Sequence, residues 1–310
     1  MKTYGISHGL SLVDLALPIR GFEQFISIYV LEADQVALFD VGPAVSIANL
    51  LSGLRELHIN PADVNYIFIS HIHIDHAGGI GRLLKEMPRA KVVVHKKGGS
   101  HLIDPAKLWA NSQTALGELA QQYEPVEPVP ANRIIIAQDG MLFNLGEKVL
   151  QVMETPGHAT HHMSFWDSQE KRLFAGEACG IYFREADFIK PSTPLPFNLE
   201  QAVKSLERLI QLSPDSLCYA HFGSINQPLA NMEKAKQQLI LWGKVVAGCL
   251  DKKVGHEEIY RELCATDALL AKLDNLPCDR RDREIYFMRN SIAGFVGYFN
   301  KFGTGYLNQL

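Results

Sequence analysis

No apolar run in this 310-residue chain approaches the roughly 18 residues that a membrane-spanning helix requires. The opening stretch, Met1 to Gly9, is polar and lacks the apolar core of an export signal. The expectation is an unexported, cytoplasmic protein with no membrane partner. An excess of positive charge is missing too. Thirty Lys and Arg stand against 34 Asp and Glu, a net charge of −4, so the surface is not built to neutralise a phosphate backbone and nucleic acid is not an expected partner. The five cysteines (Cys179, Cys218, Cys249, Cys264 and Cys278) are odd in number and widely spaced. No Cys-x-x-Cys pair suggests a thiolate metal site or a dithiol redox centre, and the cysteines read as reduced, mostly buried small hydrophobes. Short repeats and low-complexity tracts are also absent, and a hydrophobic content of 47% argues against disorder.

What is present is an alternation of strands and helices. Phe25 to Leu31, Val36 to Phe39, Tyr66 to Ile69 and Lys91 to His95 are rich in Ile, Val, Tyr and Phe and read as strands. Val45 to Leu57 and Gly79 to Met87 have helical spacing between them. Asp104 to Pro130 reads as a loop-rich insertion over the site, with one helix at Ser112 to Tyr123 before three prolines within six residues. Further strands are expected at Ile134 to Ile136, Leu142 to Leu145, Lys148 to Glu154, His162 to Asp167, Arg172 to Ala175 and Leu217 to Ala220. A helix from Asn198 to about Leu212 has Asn198 as candidate N-cap and Gln201 in the capping-box position. Strand signals stop near Pro228. Leu229 to Leu250, His256 to Leu263, Asp267 to Leu273 and Arg280 to Phe302 read as helices, so the expected organisation is an α/β domain over 1–228 followed by a helical extension over 229–310.

Most of the twelve histidines fall in a few places. In Ile67-Phe68-Ile69-Ser70-His71-Ile72-His73-Ile74-Asp75-His76-Ala77-Gly78-Gly79, an apolar strand runs into four potential metal ligands within six residues. Imidazole and carboxylate suit zinc and related borderline metals, and a strand end holds them rigidly. A solvated turn is the plain alternative, but three histidines and an aspartate after a buried strand are costly to bury unpaired. Three later segments repeat the arrangement of a strand followed by a donor: Thr155-Pro156-Gly157-His158, Ala175-Gly176-Glu177 and Tyr219-Ala220-His221. Each alone is weak, and their recurrence and order carry the weight.

That order resembles the metallo-β-lactamase superfamily, whose hallmark is His-x-His-x-Asp-His followed by a distant His, an acidic bridging residue and a last His. The match covers about residues 20 to 228. The resemblance implies a four-layer αβ/βα sandwich and a dinuclear site in which His71, His73 and His158 bind one ion, Asp75, His76 and His221 bind the other, and Glu177 bridges. Two divalent ions are implied, zinc first, with iron or manganese as alternatives. Asp40 matches a strand-end aspartate that supports such sites from behind; a helix cap is its plain reading. Glu177 departs from the usual aspartate by one methylene, which leaves open whether it bridges both ions.

The implied chemistry is hydrolysis of an ester, thioester or lactone bond by hydroxide generated from water at the dinuclear site, with Asp75 as catalytic residue orienting the water. The substrate is a small molecule, and a homodimer is allowed. Tyr182, Phe183, Phe188 and Phe197 are candidates to line an apolar pocket, with ordinary packing as their alternative. Cys179 lies two positions past Glu177, where a buried structural thiol is the simpler reading. The aromatics of the tail (Tyr286, Phe287, Phe295, Tyr298, Phe299) together with Met288 suit helix packing better than a lid. The extension resembles those of glyoxalase II and related thioesterases. Competing functions are a mononuclear iron oxidoreductase, similar to persulfide dioxygenases, and a catalytically silent binding or regulatory member of the fold.

Overall fold

The computed structural model describes residues 2–183 and 186–309. The chain forms two compact units. One comprises Met1–Glu154, His161–Gly176 and Leu217–Ser224; the other comprises Thr155–Thr160, Glu177–Ser216 and Ile225–Leu310.

The first unit is organised by two mixed sheets. Seven strands run in spatial order β1 (Lys2–Ser7), β2 (Leu10–Asp14), β3 (Ser27–Leu31), β4 (Val36–Phe39), β5 (Val64–Phe68), β6 (Lys91–His95) and β7 (Ile134–Ala137). The first four are antiparallel neighbours, and β4 to β7 are parallel. The other sheet contains β8 (Leu142–Asn144), β9 (Val149–Glu154), β10 (Met163–Asp167) and β11 (Arg172–Gly176), and beyond β11 come β14 (Ser216–Tyr219) and β15 (Ser224–Asn226). A separate hairpin, β12 (Ile181–Phe183) with β13 (Phe188–Lys190), belongs to the second unit.

Alternation along the strands explains the sandwich. Leu10, Leu12, Tyr29, Leu31, Phe39, Phe68 and Val93 from the first sheet share one buried cluster with Leu150, Val152, Met163, Phe165 and Phe174 from the second. Phe68 lies 5.1 Å from both Phe143 and Phe165 between ring centroids, and Phe39 stacks on Phe174. Each aromatic buried here contributes on the order of 2–3 kcal/mol by removal of apolar surface from water. The expected α/β sandwich is the observed one.

Local details differ from the sequence reading. Strands β1 and β2 are not among the expected strands: β1 is half-exposed with only a weak apolar alternation, and it forms by pairing with β2 through a turn at Gly9 (φ +69°). The helix expected over Gly79 to Met87 is shorter, α3 at Ile80–Leu83, after α1 (Ile47–Glu56) and α2 (Ile74–Ala77). The stretch expected to be loop-rich, Asp104 to Pro130, holds two helices, α5 (Ala106–Leu116) and α6 (Glu118–Tyr123), and α4 (Lys96–Ile103), just ahead of it, is a helix not expected from the sequence. Pro105 starts α5, where its missing N–H costs nothing, and Gly117 at φ +57° breaks the helix expected across 112–123.

In the second unit, α7 (Leu199–Gln211) is capped as expected: the Asn198 side chain accepts a hydrogen bond from the Gln201 N–H at 2.9 Å. α8 (Leu229–Asp251), α9 (His256–Thr266) and α10 (Cys278–Phe302) pack around Trp242, Met288, Ile292 and Phe295, all fully buried. Asp267 is buried there as a three-way acceptor, receiving Trp242 Nε1–H and Gln238 Nε2–H, each at 2.8 Å, and the Leu269 N–H. Of the aromatics of α10, Phe295, Tyr298 and Phe299 are buried and Phe295 meets Phe197 edge-on at 4.9 Å, whereas Tyr286 and Phe302 are exposed. Among the described residues no helix is long and apolar enough to cross a membrane.

Candidate metal centre

The segment after β5 begins as the motif suggested and then turns into a helix. Phe68 ends the strand, Ile69 still donates its N–H to the Val93 carbonyl, and His71, Ile72 and His73 run on without regular structure. The N–H groups of His76 and Ala77 then donate to the His73 carbonyl, so Asp75 and His76 sit on α2 and not on the strand end. The His76 carbonyl accepts from the N–H groups of both Val41 and Gly42, which ties α2 to the end of β4.

In the first unit, Asp75, His76 and His221 each offer a ligand atom, all within 4.8 Å of one another. Asp75 Oδ2 is 3.5 Å from His76 Nε2 and 3.7 Å from His221 Nε2. His71 and His73 form a pair beside them, with His71 Nε2 3.0 Å from His73 Nδ1.

The tautomers follow from the acceptors behind the rings. Asp40, buried at the end of β4, takes the Ser70 N–H on Oδ1 at 2.8 Å and the Ser70 hydroxyl on Oδ2 at 2.8 Å. The same Oδ2 lies 3.0 Å from His76 Nδ1, which must therefore carry the proton and leave Nε2 as a lone-pair donor. Ser70 has spent its single proton on Asp40, so its 3.0 Å contact with His71 Nδ1 requires Nδ1–H to donate, and His71 likewise presents Nε2. His221 Nδ1–H donates to the Phe25 carbonyl at 3.2 Å. One buried carboxylate and one carbonyl thus set three imidazoles in the ligating tautomer. Asp40 is not a helix cap: Pro43 and Ser46 occupy the cap positions of the helical turns that follow. Its φ of +59° is one that aspartate tolerates.

In the second unit, His158 and Glu177 are brought together, with Nε2 and Oε2 2.9 Å apart. Gly157 makes this turn achievable: at φ +147° it lies against α7, and a Cβ there would stand 2.4 Å from Ala202 Cα. The turn is fastened by Asn198 N–H donating to the Gly157 carbonyl and by the Ser205 hydroxyl donating to the Pro156 carbonyl at 2.6 Å. Ser192 contacts both donors: its carbonyl accepts His158 Nδ1–H at 2.9 Å, and its hydroxyl donates to Glu177 Oε1 at 2.6 Å. An apolar recess beside them is walled by Pro156, Phe197, Ala202 and Leu239. Of the four aromatics considered as pocket-lining, only Phe197 lines this recess; Phe183 and Phe188 stack on each other in the β12–β13 hairpin. Cys179 is fully buried, and burial pushes its thiol well above the usual range, as expected of an inert structural cysteine.

The seven expected site residues therefore lie as five donors in the first unit and two in the second. Imidazole and carboxylate donors, with Nδ1 of His71, His76, His158 and His221 already engaged, fit a borderline divalent cation such as zinc. Sequence reasoning missed Ser70 and Ser192, which carry no pattern of their own. It also left His161 and His162 unassigned, although their rings lie 6.3 Å and 5.2 Å from His71.

Comparison with known proteins agrees with this geometry. Residues 21–221 match the model of the metallo-beta-lactamase superfamily. The metallo-beta-lactamase fold-containing protein ST1585 of Sulfurisphaera tokodaii is 31% identical over 223 residues, 70% of this chain and 80% of that protein. A hydroxyacylglutathione hydrolase of Francisella tularensis subsp. novicida is 30% identical over 145 residues, 46% of each chain. Among solved structures, the metallo-beta-lactamase family protein TTHA1429 of Thermus thermophilus superposes over 96% of this chain and 95% of its own, with a TM-score of 0.69 at 23% identity. ST1585 itself superposes with a TM-score of 0.64, over 74% of this chain and 85% of its own. By its matched domain and its sandwich of mixed sheets, the chain belongs to the metallo-beta-lactamase superfamily.

Proposed function

We propose that this protein is a metal-dependent hydrolase of an ester, thioester or lactone bond in a small molecule. His71, His73 and His158 serve one divalent ion, Asp75, His76 and His221 serve a second, and Glu177 completes the set. The observation that carries the reading is the convergence of Asp75, His76 and His221 from two distant parts of the chain, with both imidazoles fixed for ligation from behind. The 30% identity to a hydroxyacylglutathione hydrolase supports a thioester or a related acyl bond.

Two divalent ions held by these residues would supply a lowered water pKa and polarisation of a substrate carbonyl. The chain's own residues do the rest. Asp75, with Oδ2 facing His76 and His221, accepts a hydrogen bond from the attacking water and orients it. Asp40 and Ser70 keep the protons of His76 and His71 on Nδ1, so that Nε2 stays a donor throughout the cycle.

The test is metal analysis of the purified protein alongside a panel of thioesters, acyl lactones and aryl esters. Two zinc equivalents are expected, with hydrolysis abolished in Asp75→Ala while the fold is kept. Full turnover by the metal-stripped protein or by Asp75→Ala overturns the reading. So does a single iron with oxygen consumption on a persulfide.

A further inference from the structure

Ser192 meets the two donors of the second unit with both of its polar groups, the carbonyl on His158 Nδ1–H and the hydroxyl on Glu177 Oε1. The carbonyl that meets His158 belongs to the same peptide as the Thr193 N–H, which donates to Oγ of Ser291 on α10 at 3.3 Å. Because a peptide is planar with its C=O and N–H opposed, whatever holds the N–H also sets where the carbonyl points. The Ser291 hydroxyl proton goes to the Pro191 carbonyl at 3.4 Å, so one oxygen of α10 touches the peptides on both sides of Ser192. Those two contacts are long, and the shorter one comes from Thr193, whose hydroxyl donates to the Ser291 carbonyl at 3.0 Å. Thr193 and Ser291 are both buried, so water does not compete for these bonds. Gly294, one turn further along α10, permits the close approach: a Cβ there would stand 1.7 Å from the Thr193 carbonyl oxygen. Two turns before Ser291, Glu284 meets Lys190 Nζ at 3.2 Å, both fully buried, and holds the end of β13 that leads into the segment.

We propose that Thr193 and Ser291 are positioning residues through which α10 aims the Ser192 carbonyl at His158 and the Ser192 hydroxyl at Glu177. The helical extension then takes part in the metal centre without offering a ligand to it. Every residue of this chain of contacts lies within the second unit. With the clamp intact, the His158 ring cannot turn without breaking its bond to Ser192. Without it, the Ser192–Thr193 peptide is free to rotate, and the two donors must be ordered when a metal binds, which lowers affinity. This inference rests on the reading of His158 and Glu177 as metal donors.

The experiment uses the full-length, metal-free protein and two readouts. Hydrogen exchange of His158 Nδ1–H, followed by NMR and assigned with His158→Gln, reports whether the Ser192 carbonyl holds the ring before any metal is present. Titration with Co²⁺, followed by visible absorption, reports affinity. Ser291→Ala and Thr193→Val should each speed the exchange and weaken Co²⁺ uptake by about 3–10-fold, less than the roughly 10–100-fold expected for a residue that touches a ligand directly. Thr193→Ser, which keeps the hydroxyl, should retain wild-type values of both. Ile292→Val, an apolar truncation in the buried face of the same helix, should lower the urea midpoint and leave both readouts unchanged. If Ser291→Ala and Thr193→Val fold, lower the urea midpoint and yet exchange and bind as wild type does, the pair is merely structural and the proposal is overturned. It is overturned equally if Ile292→Val moves both readouts as far. Should Ser291→Ala not fold, Thr193→Val and its serine counterpart decide. A wild type that binds no Co²⁺ overturns the reading of His158 and Glu177 as metal donors; faster His158 Nδ1–H exchange in the variants then still upholds the clamp, and unchanged exchange overturns it.

Discussion

Replacing Asp40 with asparagine reverses the polarity of one atom at the centre of the hydrogen-bond chain from His71 through Ser70 and Asp40 to His76. The backbone at Asp40 has φ +59°, which asparagine tolerates as readily as aspartate, so the substitution acts through the side chain. Alanine would add on the order of 1 kcal/mol of backbone strain and blur the result. In Asp40→Asn the carbonyl oxygen keeps the Ser70 N–H, and the new NH₂ takes the place of Oδ2, where the Ser70 hydroxyl and His76 Nδ1–H now donate. Two donors then face a donor. The Ser70 hydroxyl can rotate away, but His76 must move its proton to Nε2, the nitrogen that faces Asp75 3.5 Å away. Loss of an outer partner of this kind lowers metal affinity by about 10–100-fold, or roughly 1.4–2.8 kcal/mol at about 1.4 kcal/mol per tenfold. Competition against a chromophoric zinc chelator measures it, with urea unfolding of the metal-free protein as a control for stability. Zinc affinities within twofold of wild type, in a protein with an unshifted urea midpoint, would refute the reasoning.

Thiol accessibility gives a second check: at pH 8 a thiol reagent should label Cys264 and Cys278 in the folded protein and all five cysteines in urea. Burial withholds Cys179, Cys218 and Cys249 and pushes the Cys218 thiol up to about 12; rapid native labelling of Cys218 would contradict the packing. His95 ends β6 in a buried position where desolvation lowers its pKa, Glu154 at 3.4 Å opposes the shift, and Lys97 and Lys96 reinforce it. Because the folded pKa lies below the unfolded value of about 6.5, the unfolded chain takes the proton first. Stability should therefore fall as pH drops through about 6.5 and level off once the folded histidine titrates. Metal-free His95→Gln should show a shallower decline in urea titrations between pH 7.5 and 5.5, and parallel curves would count against this. Gly157→Ala places a Cβ 2.4 Å from Ala202 Cα. It should cost about 1–3 kcal/mol by overpacking and should displace His158, read as a lower melting temperature together with weaker metal uptake.

The ligand motif from His71 to His76 was legible in the chain because its donors follow one another within six residues after an apolar strand, and local order needs no fold to be seen. His158, Glu177 and His221 were legible for a related reason, since each follows a short strand marked by its apolar residues. The sandwich followed from the same alternation. What fails locally is whatever depends on a partner. β1 has little apolar signal and exists because β2 offers it hydrogen bonds. Among the helices between Lys96 and Tyr123, α5 has weak apolar periodicity and buries none of its residues completely. Ser70 and Ser192 look like any other serine. Ser70 matters because the left-handed turn at Asp40 brings a carboxylate under it, and Ser192 because its loop returns to Glu177 fifteen positions after leaving it. Residue types and their spacing along the chain thus determined which atoms are available to bind a cation. The tertiary structure alone decided which nitrogen of each imidazole faces outward and which oxygen of Glu177 is already engaged, because hydrogen bonds to distant backbone and side-chain groups are made only once the chain has closed on itself.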